Sequence, residues 1–322
     1  MTPTTNTLPA RLEGHALTAG AELAADRHPV LVYLARLAPG SRRTMGAALE
    51  GIARRVTDGQ VGALALDWAA LRYQHTAAIR SRLTERYAPA TANKALAALR
   101  GVLREAWRLG LMPAEAYQRA ADLEPVRGER PLRGRAIDRG EVLALVDACR
   151  RDASDLGVRD TALLAALYTG GLRRAELVAL DLQDHDPTTG ALVIRRGKGG
   201  KARTVYLTNG AARALEAWRA ARGLEAGPLF YRGRKGGHLV PSRMTGQAVL
   251  DVLRRRCATA GVKPCSPHDW RRTFVGELLD AGADLATVRA LAGHADPSTT
   301  ARYDRRGERA KATASTLLHF PY

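Results

Sequence analysis

The segment EPVRGERPLRGRAID, Glu124 to Asp138, constrains the fold more than any other part of the 322-residue chain. Pro125, Gly128, Pro131 and Gly134 keep any helix from running through it. At roughly 150 residues per domain, the length allows about two domains, one on each side of this break. The break reads as an interdomain linker over 125–137.

Upstream the pattern is helical. Residues 1–27 are rich in Thr, Ala and Gly with weak periodicity and read as a flexible arm. From Pro29 on, Val30, Tyr33, Leu34 and Leu37 share one helical face, with Pro39-Gly40 as its end. Ser41 is expected to cap the next helix, whose apolar positions are Met45, Leu49, Ile52 and Val56. A third helix is expected from Asp67 to Arg86 and a fourth from Pro89 to Leu109. In the fourth, Leu96, Leu99, Val102, Leu103 and Trp107 follow 3.6-residue spacing. Pro89 suits its first turn, and Gly110 suits the position after its end. The spacing predicts a compact helical domain of four or five helices over 28–124, with Arg and Lys outward.

Downstream, over 138–322, helices are expected at about 139–150, 158–168, 210–222, 242–260, 270–281 and 284–292. Between them ALVIRRGKGGKARTVYL places two short β-runs around a Gly-Lys-Gly-Gly-Lys turn, a hairpin signal. The predicted class is therefore mostly α with a small β-hairpin, the second domain being α+β.

Charge narrows the function. Lys and Arg total 50 against 32 Asp and Glu, a net charge of +18. Such an excess points to a polyanion, because cationic surface releases counterions condensed on nucleic acid. Arg127, Arg130, Arg133 and Arg135 make the linker basic, and an extended cationic segment follows phosphates well. An apolar share of 46% excludes wholesale disorder. The three cysteines have no CxxC spacing, so neither a disulfide framework nor a zinc site is expected, in keeping with a reducing cytoplasm. No apolar run of 18 residues and no signal-peptide pattern is found, so no membrane role is expected.

Five stretches of the second domain carry chemistry. In YTGGLRRAELVAL, Arg173 follows a Gly-Gly turn with Glu176 three positions on, so the carboxylate can orient the guanidinium. A planar guanidinium holds two phosphate oxygens at once. In RGKGGK, Lys198 and Lys201 project from an exposed turn, where a lysine can protonate a leaving alkoxide. In SPHDWRRTF, Ser266 can cap a helix starting at Pro267, which puts His268 and Arg271 on one face near its N-terminus, a place for an oxyanion. Trp270 is expected in the core. Finally, in AGHADPSTTARYD, His294 follows a glycine and Tyr303 lies nine positions beyond it. A lone His or Tyr is usually structural.

The order Arg, Lys, His-x-x-Arg, His, Tyr resembles the tyrosine recombinase (phage integrase-like) family. TGGLRRAEL resembles its first arginine box, GKGGKAR its lysine box, SPHDWRRTF its His-x-x-Arg box, and LAGHADPSTTARY its nucleophile box. The likeness is strong over 138–303, and 28–124 resembles the family's SAM-like core-binding domain more weakly. Two departures stand out. TGG replaces the commoner x-T-G before Leu172-Arg173, and Arg272 stands where many relatives have histidine, which is expected to add a phosphate contact.

The resemblance implies a role for each residue. Tyr303 is the nucleophile, forming a 3′-phosphotyrosyl link and releasing a 5′-hydroxyl. Arg173 and Arg271 clamp the non-bridging oxygens. His268 and His294 bond the same phosphate and manage the tyrosine proton. Lys198 is the general acid, with Lys201 its alternate, and Glu176 supports Arg173. No metal or nucleotide cofactor is implied, since two guanidiniums and a lysine supply the charge. The implied partner is double-stranded DNA with paired half-sites, bound by a homotetramer whose free form is a monomer. Alternatives are a type IB topoisomerase and a non-catalytic DNA-binding protein on the same scaffold. Lys198 and His268 are 70 positions apart, which leaves no room for an integron-type insertion. The tail after Tyr303 ends in Leu317, Leu318 and Phe320, which need a pocket in the same chain or in a neighbour.

Overall fold

The computed structural model describes residues 23–128, 134–195, 202–234, 236–294, 296–301 and 315. Lys198, Lys201, Tyr303, Arg130, Arg133 and the apolar tail lie outside them. The chain divides into two compact units, Met1–Leu132 and Arg133–Tyr322.

The first unit contains five α-helices among the described residues: α1 (Pro29–Ala35), α2 (Pro39–Val56), α3 (Tyr73–Arg86), α4 (Pro89–Arg108) and α5 (Ala114–Ala121). Helix α4 is the centre, because its apolar stripe is continuous. Leu96, Leu99, Val102 and Leu103 are fully buried, facing Leu49 and Ile52 of α2 and Leu83 of α3 in one cluster. Three local expectations give way. Helix α2 starts at Pro39, with Ala38 as N-cap, so Ser41 lies in its first turn and caps nothing. Proline fits that turn because its missing N–H has no partner there in any case. The third helix starts only at Tyr73; Trp68–Ala70 form a separate 3₁₀ turn, capped by Asp67 Oδ1 accepting from Ala69 N at 3.0 Å and Ala70 N at 3.2 Å, and the extended Leu71 and Arg72 divide the two. Trp107 does not join the core; it is 40% exposed and stacks on Tyr117 of α5, ring centroids 5.3 Å apart.

The second unit builds its core around α7 (Asp155–Gly170), flanked by α6 (Arg139–Arg150), α8 (Arg174–Ala179), α9 (Asn209–Arg222), α10 (Gly246–Ala260) and α11 (Pro267–Asp280). Leu163, Leu164 and Leu167 of α7 pack with Leu215 and Trp218 of α9, Leu253 of α10 and Trp270 of α11, which is fully buried as the sequence implies. Strands β1 (Ala191–Ile194) and β2 (Arg203–Tyr206) form the expected antiparallel hairpin, Ile194 opposite Arg203. A second hairpin, β3 (Tyr231–Gly233) with β4 (Leu239–Arg243), lies outside the elements expected from sequence; its last two residues take the start of the helix expected at about 242–260. That helix, α10, starts only at Gly246, where Thr245 Oγ1 accepts from Ala248 N at 3.1 Å. Helices α12 (Leu285–Ala292) and α13 (Pro297–Ala301) complete the described elements.

Buried charge runs through this unit. Asp160, with no exposed surface, accepts from Arg159 Nη2 at 2.6 Å and Arg256 Nε at 2.8 Å. All three cysteines are buried and free, with the Cys257 and Cys265 sulfurs 3.4 Å apart. No helix among the described residues is long and apolar enough to cross a membrane. Nor do the described residues contain a group of three His, Cys, Asp or Glu able to hold a metal.

Candidate active site

Arg173 is placed by the turn that precedes it. Helix α7 ends on Gly171, whose φ of 54° is left-handed. A Cβ there would also lie 2.2 Å from Phe274 Cδ1, so both backbone and space call for glycine. This is the part played by the second glycine of TGG. The chain then turns into α8 with Arg173 as N-cap. Arg173 N donates to Glu176 Oε2 at 2.8 Å and Nη1 to Oε1 at 2.7 Å. The remaining end of its guanidinium reaches α12, with Nη2 donating to Gly293 O at 2.8 Å.

Helix α11 supplies the next pair. Ser266 and Asp269 form a reciprocal cap, Ser266 N donating to Asp269 Oδ2 at 2.8 Å. This fixes the first turn, from which His268 points to the surface while Arg271 turns inward and is 5% exposed. Arg271 Nη1 donates to Gly171 O at 2.7 Å, and Nη2 donates to Ala292 O. Arg173, His268 and Arg271 line one open cleft of about 280 Å³, with Arg174 and Ser266 beside them.

His294 follows Gly293, the left-handed cap of α12. It is half-buried, its Nδ1 2.8 Å from the hydroxyl of Thr300, which is fully buried. Thr300 is the second of two adjacent threonines that precede Tyr303 in the sequence. Burial, then the charges of Arg271, Arg173, Arg203 and His268, lower the His294 pKa from 6.5 to about 4, so the ring is neutral at pH 7. Burial would push the Glu176 carboxyl up, but hydrogen bonds from Arg203 and Arg173 outweigh it and hold the pKa at about 2.

The structure thus brings together Arg173, Glu176, His268, Arg271 and His294 out of the residues singled out by sequence. It also adds Arg203, whose place two positions after Lys201 reads as one more basic turn residue. The linker arginines behave differently. Arg127 is exposed, but Arg135 pairs with Glu141 and donates from Nη2 to Lys263 O at 2.8 Å. Arg272 Nη1 donates to Gly134 O at 2.9 Å. Both side chains therefore hold the chain entering α6, alongside any phosphate contact.

A mostly helical α+β unit with two clamped guanidiniums and the His268 imidazole lining one small cleft offers an arrangement suited to an oxyanion. Residues 135–309 match the phage integrase family, and the chain belongs to it. It is 36% identical over 226 residues to the tyrosine recombinase XerD of Mycobacterium leprae, covering 66% of this chain and 68% of that one. With the tyrosine recombinase XerC of Myxococcus xanthus it shares 35% over 230 residues, covering 69% and 73%. Among solved structures, the Tn1549 transposon integrase in complex with a circular intermediate DNA shares the fold at a TM-score of 0.65 and 15% identity, covering 90% of this chain and 99% of that one. A lambda integrase tetramer bound to a Holliday junction does so at 0.62 and 17%, covering 85% and 76%. This protein is a tyrosine site-specific DNA recombinase, and the topoisomerase alternative is not favoured.

Proposed function

We propose that the protein cuts and rejoins duplex DNA at paired half-sites through a 3′-phosphotyrosyl intermediate, using neither metal nor ATP. The observation that carries this reading is the convergence of Arg173, His268 and Arg271 on one cleft, with neutral His294 beside the arginines. Their guanidiniums are fixed in plane by carbonyls of Gly293, Gly171 and Ala292, so little reorganisation is needed when negative charge builds on the phosphate.

In this reading the Tyr303 oxygen attacks the scissile phosphorus and gives up its proton to the histidine pair, His268 and His294, which also bond the phosphate. The bond from phosphorus to the 5′-oxygen breaks, and Lys198 protonates that oxygen. The tyrosyl ester retains the energy of the cleaved bond, so attack by another strand's 5′-hydroxyl reverses the step and needs no nucleotide. Arg127, Arg130, Arg133, Arg135, Lys201 and Arg272 add backbone contacts. The two domains are the helical DNA-binding region 28–124 and the catalytic region 138–322, working in the cytoplasm as a monomer that assembles into a tetramer on DNA. The lambda integrase tetramer on a Holliday junction supports that assembly.

The test is adduct formation on nicked DNA carrying a half-site, selected by sequencing fragments that the protein retains. Wild type forms a covalent adduct with EDTA present, and Tyr303→Phe binds the DNA without forming one. An adduct with Tyr303→Phe, or an activity that EDTA abolishes and Mg²⁺ restores, overturns the reading.

A further inference from the structure

Arg203 opens β2 on the side of the strand that Val205 shares, and Val205 is fully buried. An apolar residue is the ordinary occupant of such a position. Here a guanidinium, only 9% exposed, bonds to two other elements. Nη1 donates to Glu176 Oε1 at 3.0 Å and Nη2 to Oε2 at 2.7 Å, a two-pronged pair with the carboxylate that also holds Arg173. Nε donates to Leu291 O at 2.8 Å. Leu291, Ala292 and Gly293 are consecutive at the end of α12, and their carbonyls accept from Arg203, Arg271 and Arg173 respectively. The packing is tight enough to specify glycine. A Cβ on Gly293 would lie 3.0 Å from Arg203 Cδ, at a φ of 63° that side chains rarely adopt.

We propose that Arg203 is the positioning residue of the recombination site. Its paired bonds to Glu176 and its bond to Leu291 lock α8, β2 and the end of α12 into one frame, so Arg173 and Arg271 reach the scissile phosphate together. The inference rests on the reading given under Proposed function. Arg203 is not in the cleft and does not touch the phosphate; it acts through the two arginines. Lysine cannot replace it fully, because one ammonium cannot span both carboxylate oxygens and a carbonyl on another helix. Arg203 also lies five positions after Lys198 in the sequence, so an action through that lysine is the competing account.

The experiment measures the rate of adduct formation at saturating protein on the nicked half-site, with half-site affinity measured in parallel. The proteins are wild type, Arg203→Ala, Arg203→Lys, Glu176→Gln and the double variant Arg203→Ala/Glu176→Gln. Arg203→Ala is expected to slow the reaction about 10²-fold with affinity unchanged, the size expected when a clamp is displaced by about an ångström. Arg203→Lys retains part of the rate and remains about tenfold slow. The double variant is no slower than the worse single variant, because both changes break the same frame. The defect is the same on a 5′-bridging phosphorothiolate, whose leaving group needs no proton.

Wild-type rate in Arg203→Ala or in Arg203→Lys overturns the proposal. So do defects that multiply in the double variant. Rescue on the phosphorothiolate overturns it too, by moving the action to Lys198. If Arg203→Ala loses half-site binding through misfolding, Arg203→Lys decides by the same criteria. A wild type that forms no adduct defeats the functional reading and this inference together. A wild type that reacts, beside Arg203 variants that react equally well, defeats the inference alone.

Discussion

The two units bury different things. In the first, buried charge is almost confined to Glu105, while α4 presents leucine, valine and alanine at helical spacing. In the second, Arg159, Asp160, Glu176, Arg203, Arg256, Asp269 and Arg271 sit inside or nearly so. Apolar burial is non-directional and tolerates small shifts, whereas a buried guanidinium must meet its acceptors in one geometry. Both units are held by apolar area, and the second adds buried charges that fix position, which is what a site that must fit a phosphate requires.

That contrast can be broken most sharply at Asp160. Asp160→Ala strands Arg159 and Arg256 without their shared carboxylate, and is expected to destabilise the second unit by about 3–5 kcal/mol. Urea denaturation followed through Trp218 or Trp270 fluorescence measures it, and a loss below about 1 kcal/mol would mean the network is not structural. In the first unit Leu99→Ala removes a fully buried side chain and is expected to lose about 2–4 kcal/mol. Unlike Asp160→Ala, it should leave the rate of adduct formation near wild type once DNA is bound. A Leu99→Ala protein that binds but reacts slowly would show that the units do not divide the work in this way.

The smallest effect is that of pH. The folded His294 pKa is about 4 against an ordinary 6.5, so in that window the unfolded ring holds a proton that the folded ring lacks. Stability from this group is present above about 6.5 and is lost as pH falls towards 4. Thermal melts of wild type and His294→Asn should converge on acidification through that window. Parallel curves would remove the effect. Glu176, held at about 2, contributes stability above its ordinary 4.5 that is lost only in stronger acid, so it does not blur the reading.

How far the sequence reveals this depends on the range of the interaction. Helix α4, the Ser266 cap and the first hairpin are legible because their signals lie within a turn or two. His268 and Arg271 show their shared face for the same reason. The Arg203–Glu176 pair joins positions 27 apart, and the Arg256–Asp160 pair joins positions 96 apart, with no periodic trace of either. An arginine beside a lysine-rich turn reads as solvated charge, so Arg203 looked like its neighbours. For Arg135 the surrounding composition signals a linker and gives no sign of its partner, Glu141, six positions on. The β3–β4 hairpin stayed hidden because its strands are three and five residues long and one contains Pro241.

The end of α12 gathers three cations on three successive carbonyls. That terminus is a hold the three share, beside the Glu176 carboxylate for Arg173 and Arg203 and the Gly171 carbonyl for Arg271. A tilt of that terminus would disturb all three contacts at once instead of trimming one. Such a tilt is expected to sort molecules into poised and idle, with little in between. In a sample damaged there, the fraction of molecules that react would shrink while those still reacting keep their pace.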